Sequence, residues 1–253
     1  MKKLMFAAAA IAAGVAMADV TSANIVGYST YQLKAAKQDI MGAPFVAIGE
    51  DDISIQEIKL DNGSEGMDWI MVFDPATREY QQAFWNPYSY DPTDTDYLHD
   101  LGQGWTDRDW FRMPINLNPG QGLWIYTTKA CNATVPGQIV AAEQNLVSMV
   151  GGKQDIVATM FPVSTSIQDI SLSNGTEGKD WMMVFDPETR EYQQAFWNPY
   201  SYDPTDTDYL HDLGQGWTDR DWFRMPIVLN PGQGLWLYTT KNCNVTFKDP
   251  LAK

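Results

Sequence analysis

The chain has 253 residues, of which 44% are hydrophobic and 13% aromatic, and its formal net charge is −15 at pH 7. Such an acidic protein repels nucleic acids and anionic lipid surfaces, which excludes functions that depend on binding either of them by charge. Its two cysteines are too few for a disulfide-built scaffold, so ordinary burial of apolar and aromatic side chains must supply the core.

The first predicted element is a cleaved leader peptide. Lys2 and Lys3 precede an apolar run over Leu4–Ala16, and Ala16–Ala18 has the small-x-small pattern of a cleavage site. The run is too short to span a membrane, and no later stretch is long enough either. We therefore expect export to the periplasm, the cell surface or the medium. The mature chain would begin at Asp19 and carry a net charge of −17, because two lysines are lost from −15.

The remainder of the chain contains one sequence twice. Thr77–Ile115 and Thr189–Ile227 are identical over 39 residues, and weaker similarity continues on both sides, so that all ten tryptophans form five matched pairs. This repeat predicts two β-modules, at residues 19–137 and 138–253, each large enough for a small core. Recent duplication or gene conversion also explains an identical block, and identical synonymous codons would favour that explanation.

Short β-prone runs bounded by turn residues fill each copy. In the first copy the candidate strands are Asn24–Leu33, Ile40–Val46, Ile53–Ile58, Trp69–Phe73, Arg78–Trp85 and Leu123–Thr128, and Asn145–Val150 opens the second copy. The DPAT sequence between Trp69–Phe73 and Arg78–Trp85 suits a type I turn, so these two strands are predicted to form a hairpin. No long stretch has a helical hydrophobic period, so the predicted fold is all-β, with two sandwich-like modules.

Three short motifs carry a resemblance. The first is SANIVGY (Ser22–Tyr28), directly after the leader. The second is MGAPF (Met41–Phe45), a candidate strand that contains Pro-Phe. The third is GQGLW (Gly120–Trp124), at the start of the closing strand. In these motifs the chain resembles uncharacterised secreted bacterial β-module proteins. The resemblance implies an exported envelope or extracellular β-protein, and it implies no catalytic residues.

Asn86–Phe111 and Asn198–Phe223 are long segments without a clear strand pattern. Long loops inside compact domains are usually functional or disordered, and the aromatic side chains here argue against disorder. We predict ordered surface loops that interrupt a complete scaffold and form the interaction face of each module. Within the first loop we expect a short helix capped by Thr93 and ended by Gly102, and a second capped turn at Thr106 and Asp109.

Rings beside polar groups make these loops candidate ligand-binding surfaces. The candidate residues are Tyr88, Tyr90, Trp105, Trp110, Tyr200, Tyr202, Trp217 and Trp222. The alternative is that the same rings form the small core of a β-module. Core packing is the better interpretation for Trp85 and Trp124, which lie on predicted strands.

Clustered carboxylates in the loops suggest a weaker candidate for Ca²⁺. The candidate ligands are Asp91, Asp94, Asp96, Asp203, Asp206 and Asp208. The spacing does not match an EF-hand, since the required glycine and the closing glutamate are missing. Turn and helix-cap roles explain the same aspartates, and we predict no other cofactor.

Catalytic patterns are weak. The only histidines, His99 and His211, occupy equivalent positions, and Ser89 lacks the sharp turn that presents a nucleophile. A pair of catalytic carboxylates would have many aspartates to draw on, but a short chain seldom needs two complete active sites. We therefore predict a protein that is not an enzyme.

Cys131 and Cys243 are equivalent positions after the closing strand of each copy. A disulfide needs Cα atoms within about 7 Å, and equivalent points of two translated modules lie roughly 25 Å apart. We expect translated or loosely linked modules, with unpaired thiols or bonds between chains.

Two functional classes remain. In the first, the protein is an exported binding module for a glycan, another polymer or a protein partner. In the second, it is a structural or surface component that assembles with itself. Identical repeated surfaces serve the first class through avidity and the second through equivalent contacts.

Overall fold

The computed structural model describes residues 26–74, 77, 79–140, 145–186, 189, 191–205, 210 and 213–249. The predicted leader peptide lies outside these residues. In the described part of the chain nearly all the regular structure is β, as predicted, and the strands that it contains pair in antiparallel fashion. Within the described ranges, no helix is both long enough and apolar enough to cross a membrane.

The described residues of the first module form ten strands and one short helix. The strands are β1 Val26–Leu33, β2 Lys37–Gly42, β3 Ile53–Ser54, β4 Lys59–Leu60, β5 Trp69–Asp74, β6 Glu79–Asn86, β7 Gly104–Thr106, β8 Asn116–Leu117, β9 Gly122–Thr127 and β10 Cys131–Gln138, with helix α1 at Tyr97–Leu101 and a 3₁₀ turn at Ile55–Glu57. They form a five-stranded sheet in the order β2-β9-β5-β6-β7, a three-stranded sheet in the order β1-β10-β4, and the pair β3-β8.

Alternating side chains of the two larger sheets meet in one core. Ile70 and Ile125 come from the five-stranded sheet, while Ala133 and Val135 come from β10, and all four are buried in the same cluster. Two sheets that bury one face each against the other make a sandwich-like module. The identical loop sequence leaves this core at the end of β6 and returns to it at β7.

The second module repeats this sheet order. Its strands are β11 Leu146–Met149, β12 Lys153–Ala158, β13 Thr165–Ser166, β14 Ile170–Leu172, β15 Trp181–Phe185, β16 Tyr192–Asn198, β17 Gly216–Thr218, β18 Val228–Leu229, β19 Gly234–Thr239 and β20 Cys243–Phe247, with a 3₁₀ turn at Ile167–Asp169. The sheets are β12-β19-β15-β16-β17, β11-β20-β14 and β13-β18. Val46 and Val140 also pack into the buried cluster of this module, so the cores of the two modules are not fully separate.

Most of the predicted strands are confirmed, including the β5–β6 hairpin. Two predictions are wrong in detail. The run Ile53–Ile58 leaves the strand after two residues, because the Ser54 hydroxyl accepts a hydrogen bond from Gln56 N and caps a 3₁₀ turn. The candidate Ile40–Val46 is displaced toward the amino terminus, since the strand is Lys37–Gly42.

The two modules meet around an approximate two-fold axis, which contradicts the expectation of translation or a loose linker. Gly42 N donates to Gly232 O at 2.9 Å, and the equivalent Ala158 N donates to Gly120 O, also at 2.9 Å. Equivalent residues touch each other, as only a two-fold arrangement allows: the rings of Trp124 and Trp236 lie 5.8 Å apart.

Both thiols are free and buried, so Cys131 and Cys243 are not bonded to each other in this chain, although the translated arrangement expected for the modules was wrong. Unpaired thiols and bonds between chains stay the two predicted alternatives. Burial raises the pKa of the Cys131 thiol and of the Cys243 thiol, because the thiolate is the form that loses hydration. The modules contact each other through β2 and β12, which lie in the five-stranded sheets. The cysteines are elsewhere, at the start of β10 and β20 in the three-stranded sheet of each module.

Candidate functional site

The loop that follows β6 is ordered and tied to the core at its base. Asn86 is fully buried, and its side-chain amide donates to Leu98 O at 2.9 Å and to Gly102 O at 3.0 Å. The same side chain accepts a hydrogen bond from Tyr88 N. One buried amide therefore holds both ends of the segment that contains helix α1, which agrees with the prediction of an ordered loop.

A second anchor joins Gln56 and Arg112. The Gln56 side-chain amide donates to Trp105 O at 2.7 Å and to Met113 O at 3.0 Å, while its oxygen accepts from Trp105 N and from the Arg112 guanidinium. Arg112 also donates to the carbonyls of Leu101, Gly102 and Gln103 at the end of α1. Burial lowers the pKa of Arg112, and its hydrogen bonds replace part of the water it loses.

Replacing Arg112 with alanine should loosen the loop and leave the sheets in place. Hydrogen bonds to charged groups contribute about 1.5–3 kcal/mol each to stability. We therefore expect the free energy of unfolding to fall by about 2–4 kcal/mol and amide hydrogen exchange at residues 97–103 to become faster. Arg112→Lys is the matched variant, because it keeps the charge and loses the fork geometry. Wild-type exchange rates in Arg112→Ala would contradict the anchoring role.

Helix α1 forms where the sequence predicted a short helix, but its cap differs. Asp96, rather than Thr93, is the N-cap, and its carboxylate accepts a hydrogen bond from Leu98 N at 3.0 Å. Gly102 ends the helix with a φ of 68°, as predicted. The second predicted cap is wrong: Thr106 lies in β7, and the carboxylate of Asp107 instead binds the backbone of Asp109 and Phe111.

Trp105 and Trp217, two of the predicted ligand-binding rings, are core residues. Both are completely buried, and Trp105 donates its indole N–H to Ile58 O at 2.8 Å. The Trp105 ring also packs 5.0 Å from the buried Trp85 ring. A ligand cannot reach Trp105, so this part of the prediction is wrong: strand β7, which lies within the predicted loop, places the ring in the core.

Other rings of the loop do face solvent. Tyr90 is 66% exposed and Phe111 is 61% exposed, and the equivalent Tyr202 and Phe223 are exposed to 67% and 62%. Tyr97, on α1, is half exposed. The predicted ligand-binding rings included Tyr90 and Tyr202 but not Phe111 and Phe223. Strand alternation counted from the buried Trp105 would place Phe111, six residues later, toward the core, so it gives no signal for this exposed ring.

Tyr88 and Trp110, also predicted as ligand-binding rings, are half-buried on the scaffold side of the loop. The Tyr88 hydroxyl donates to Glu65 at 2.6 Å, and its ring stacks on His99 at a centroid distance of 4.4 Å. Trp110 adopts a left-handed φ of 64° and places its indole beside Gly66, where a Cβ would lie 3.3 Å from the ring. Gly66 and the strained Trp110 therefore fix the ring against the neighbouring turn.

The second module repeats this geometry wherever it is described. The Tyr200 hydroxyl donates to Glu177 at 2.6 Å, and Trp222 has a φ of 66°. Arg224 binds Gln168 as Arg112 binds Gln56. The identical sequence thus produces the same anchors on two scaffolds whose flanking residues differ.

One group of side chains in the loop has the spacing of a metal site. Asp91, Asp94 and His99 each offer a ligand atom, and these atoms lie within 4.8 Å of one another. His99 Nδ1 lies 3.3 Å from Asp94 Oδ2, and hydrogen bonds from Thr93 lower the pKa of Asp91. Two of the predicted Ca²⁺ ligands therefore come together, with an imidazole that suits zinc or another transition metal better than Ca²⁺.

The other predicted metal ligands are accounted for differently. Asp96 caps α1 and does not belong to this group. Asp203 repeats the Asp91 geometry, since it accepts hydrogen bonds from the backbone and hydroxyl of Thr205. Asp206 and Asp208 lie outside the described residues, as does His211.

Comparison with known proteins finds no matching family model, no similar curated protein and no similar solved structure. The resemblance to secreted β-module proteins stays a prediction.

Proposed function

We propose that this protein is an exported, non-catalytic binding protein that engages a polymeric glycan through the loops at residues 86–111 and 198–223. The observation that carries the proposal is the combination of exposed rings and a fixed frame. Tyr90 and Phe111 are mostly exposed, yet the loop beneath them is held by the buried Asn86 and by the Gln56–Arg112 pair. Rigid exposed rings lose little conformational entropy when a ligand binds. The leader-like N-terminal sequence supports export.

A glycan is the ligand class favoured by the surroundings of the rings. Carboxylate and amide groups beside aromatic faces provide hydrogen-bond partners for hydroxyls and flat surfaces for sugar rings. Asp91, Asp94 and Asp100 are near Tyr90 and Tyr97 in the loop, and the protein's acidity disfavours polyanionic polymers. Two identical surfaces in one chain suit a ligand with repeating units, because the second contact is intramolecular once the first has formed.

Binding to insoluble and soluble polysaccharides tests this proposal. The full mature chain is incubated with cellulose, chitin and peptidoglycan sacculi, and with soluble glucans and mannans, and retention is measured by sedimentation or affinity electrophoresis. We expect retention by at least one polymer and its loss in the variant Tyr90→Ala/Phe111→Ala/Tyr202→Ala/Phe223→Ala. The matched control is Tyr80→Ala/Tyr192→Ala, which removes rings that are 46% and 45% exposed but lie outside the loops. Equal losses in both variants would contradict a loop site.

Self-assembly is the second candidate, and one observation favours it. Strand β1 lies at the edge of its sheet and carries Tyr28, which is 73% exposed. Exposed strand edges can pair with another chain. Sedimentation velocity over a wide concentration range distinguishes the two functions: discrete oligomers or fibres without any polysaccharide support assembly, whereas a monomer at all concentrations supports the binding protein.

A further inference from the structure

A large cleft opens where the first module meets a turn of the second. Its volume is about 1230 Å³, and it is lined by Thr30–Ala35, Asp39, Asp61–Asn62, Ala130–Asn132 and Asn230–Pro231. Small-molecule sites typically occupy about 300–1,000 Å³ and lie at domain interfaces. The cleft is therefore large enough for a disaccharide, and it lies far along the sequence from the loop rings.

A polar pair of side chains is placed at the wall of this cleft. The Tyr31 hydroxyl hydrogen-bonds to the Asp39 carboxylate, which also accepts a bond from Ile40 N at 2.8 Å. Burial raises the pKa of Asp39 and also that of Tyr31. Burial also raises the pKa of the equivalent Asp155, so the feature that distinguishes Asp39 is its position on the wall of the cleft beside Tyr31.

The equivalent region of the second module is smaller and differently built. Its cleft is about 420 Å³ and is lined by Ser148–Val150, Ser173 and Asn242–Asn244. Val147 stands where the first module has Tyr31, and Ser173 stands where it has Asp61. Asp155, the equivalent of Asp39, is not among the lining residues.

The surroundings of the two equivalent turns differ as well, and only the turn of the second module, at Asn230–Pro231, lines a cleft. A Cβ on Gly120, in the turn of the first module, would lie 2.3 Å from Met160 and 2.6 Å from Val147. A Cβ on the equivalent Gly232 would meet nothing closer than a backbone oxygen at 3.3 Å. Apolar side chains fill the space in one module, and the corresponding space stays open in the other.

We propose that the cleft of the first module binds one small neutral polyhydroxylated ligand, such as a disaccharide, per chain. The carboxylates of Asp39 and Asp61 repel anions. Lys34 lines the same cleft and offsets one of the two negative charges, and Asp61 already accepts two hydrogen bonds from Asn132, at 2.8 and 2.7 Å, so the two carboxylates do not form an open cation site. Sugar hydroxyls both donate and accept hydrogen bonds, so they match the carboxylate, amide and hydroxyl groups that line the cleft.

This site does not depend on the loops, and its stoichiometry separates the two proposals. Two identical loops provide two sites per chain, whereas the cleft provides one. The variant that lacks Tyr90, Phe111 and their equivalents should therefore keep disaccharide binding at the cleft while losing polymer retention.

Isothermal titration and saturation-transfer NMR on the full mature chain test the inference. The probes are cellobiose, maltose, lactose and N,N′-diacetylchitobiose, with putrescine and phosphate as charged comparisons. We expect at least one disaccharide to bind at one site per chain. Asp39→Asn and Tyr31→Val, the latter copying the second module, should each weaken its binding by about tenfold or more, while Asp155→Asn should leave binding unchanged.

Four results would overturn the cleft site. The first is a failure of all four disaccharides to bind, and the second is binding of putrescine or phosphate alone. The third is equal weakening by Asp39→Asn and Asp155→Asn, and the fourth is a stoichiometry of two that the loop variant abolishes. Thermal unfolding of each variant confirms that the comparison is made between folded proteins.

Discussion

Trp105→Ala should lower the free energy of unfolding by about 3–5 kcal/mol, the range for removing a large buried aromatic side chain. The ring is fully buried, packs on Trp85 and donates its N–H to the Ile58 carbonyl. Its loss would leave a cavity and also an unpaired buried carbonyl, which adds to the cost. Differential scanning calorimetry and chemical denaturation monitored by far-ultraviolet circular dichroism measure the change.

The repeat provides the control for this prediction. Trp217→Ala should cost about as much, because Trp217 donates to the Ile170 carbonyl at 2.7 Å and packs on Trp197 in the same way. Tyr90→Ala, in the same loop but exposed, should change stability by less than about 0.5 kcal/mol. A loss of several kcal/mol in Tyr90→Ala would show that the exposed part of the loop is also core.

Gly42→Ala should destabilise the contact between the modules. A Cβ at this position would lie 2.2 Å from the Cβ of Ala158 and 2.9 Å from Gln121 O, far inside van der Waals contact. Overpacking of this kind typically costs about 1–3 kcal/mol. Near-ultraviolet circular dichroism should fall as well, because the Trp124–Trp236 contact lies in the same interface.

The exchange of the two residues sharpens this prediction. Gly42 and Ala158 are equivalent positions that touch each other across the two-fold axis, and only one of them carries a Cβ. The double variant Gly42→Ala/Ala158→Gly again has one glycine facing one alanine, with the two positions exchanged. Its free energy of unfolding should therefore be closer to that of the wild type than that of Gly42→Ala. Additive losses in the double variant would contradict direct contact between the two positions.

The sequence predicts the sheets better than it predicts their arrangement. Alternation and the DPAT turn are sufficient for the β5–β6 hairpin, since both are local signals. Strand β10 was missed because Pro136 and Gly137 interrupt its pattern. Pro136 is tolerated because β4 pairs only with Ala133 and Thr134, and the next pairing on that side is the bridge between Gln138 and Val46, which leaves position 136 between them without a partner that needs its N–H.

Within the loop, the sequence shows which residue types are present but not which way they face. Trp105 and Tyr90 are both aromatic and fifteen positions apart, yet one is core and the other is surface. Whether each ring is buried or exposed depends on how the Gln56–Arg112 pair holds the loop. These two residues are 56 positions apart, so no local pattern in the sequence indicates their contact. The two-fold arrangement of the modules depends likewise on the contact between Gly42 and Ala158, which no spacing in the sequence indicates.

The most direct test of the loops as contact surfaces combines stability and binding in one variant. Tyr90→Ala/Phe111→Ala/Tyr202→Ala/Phe223→Ala removes the exposed rings of both loops and leaves every anchor in place. We predict a melting temperature within about 2 °C of the wild type, since exposed side chains contribute little to stability, together with loss of polysaccharide retention. A large fall in melting temperature, or undiminished retention by a folded variant, would contradict the proposed function.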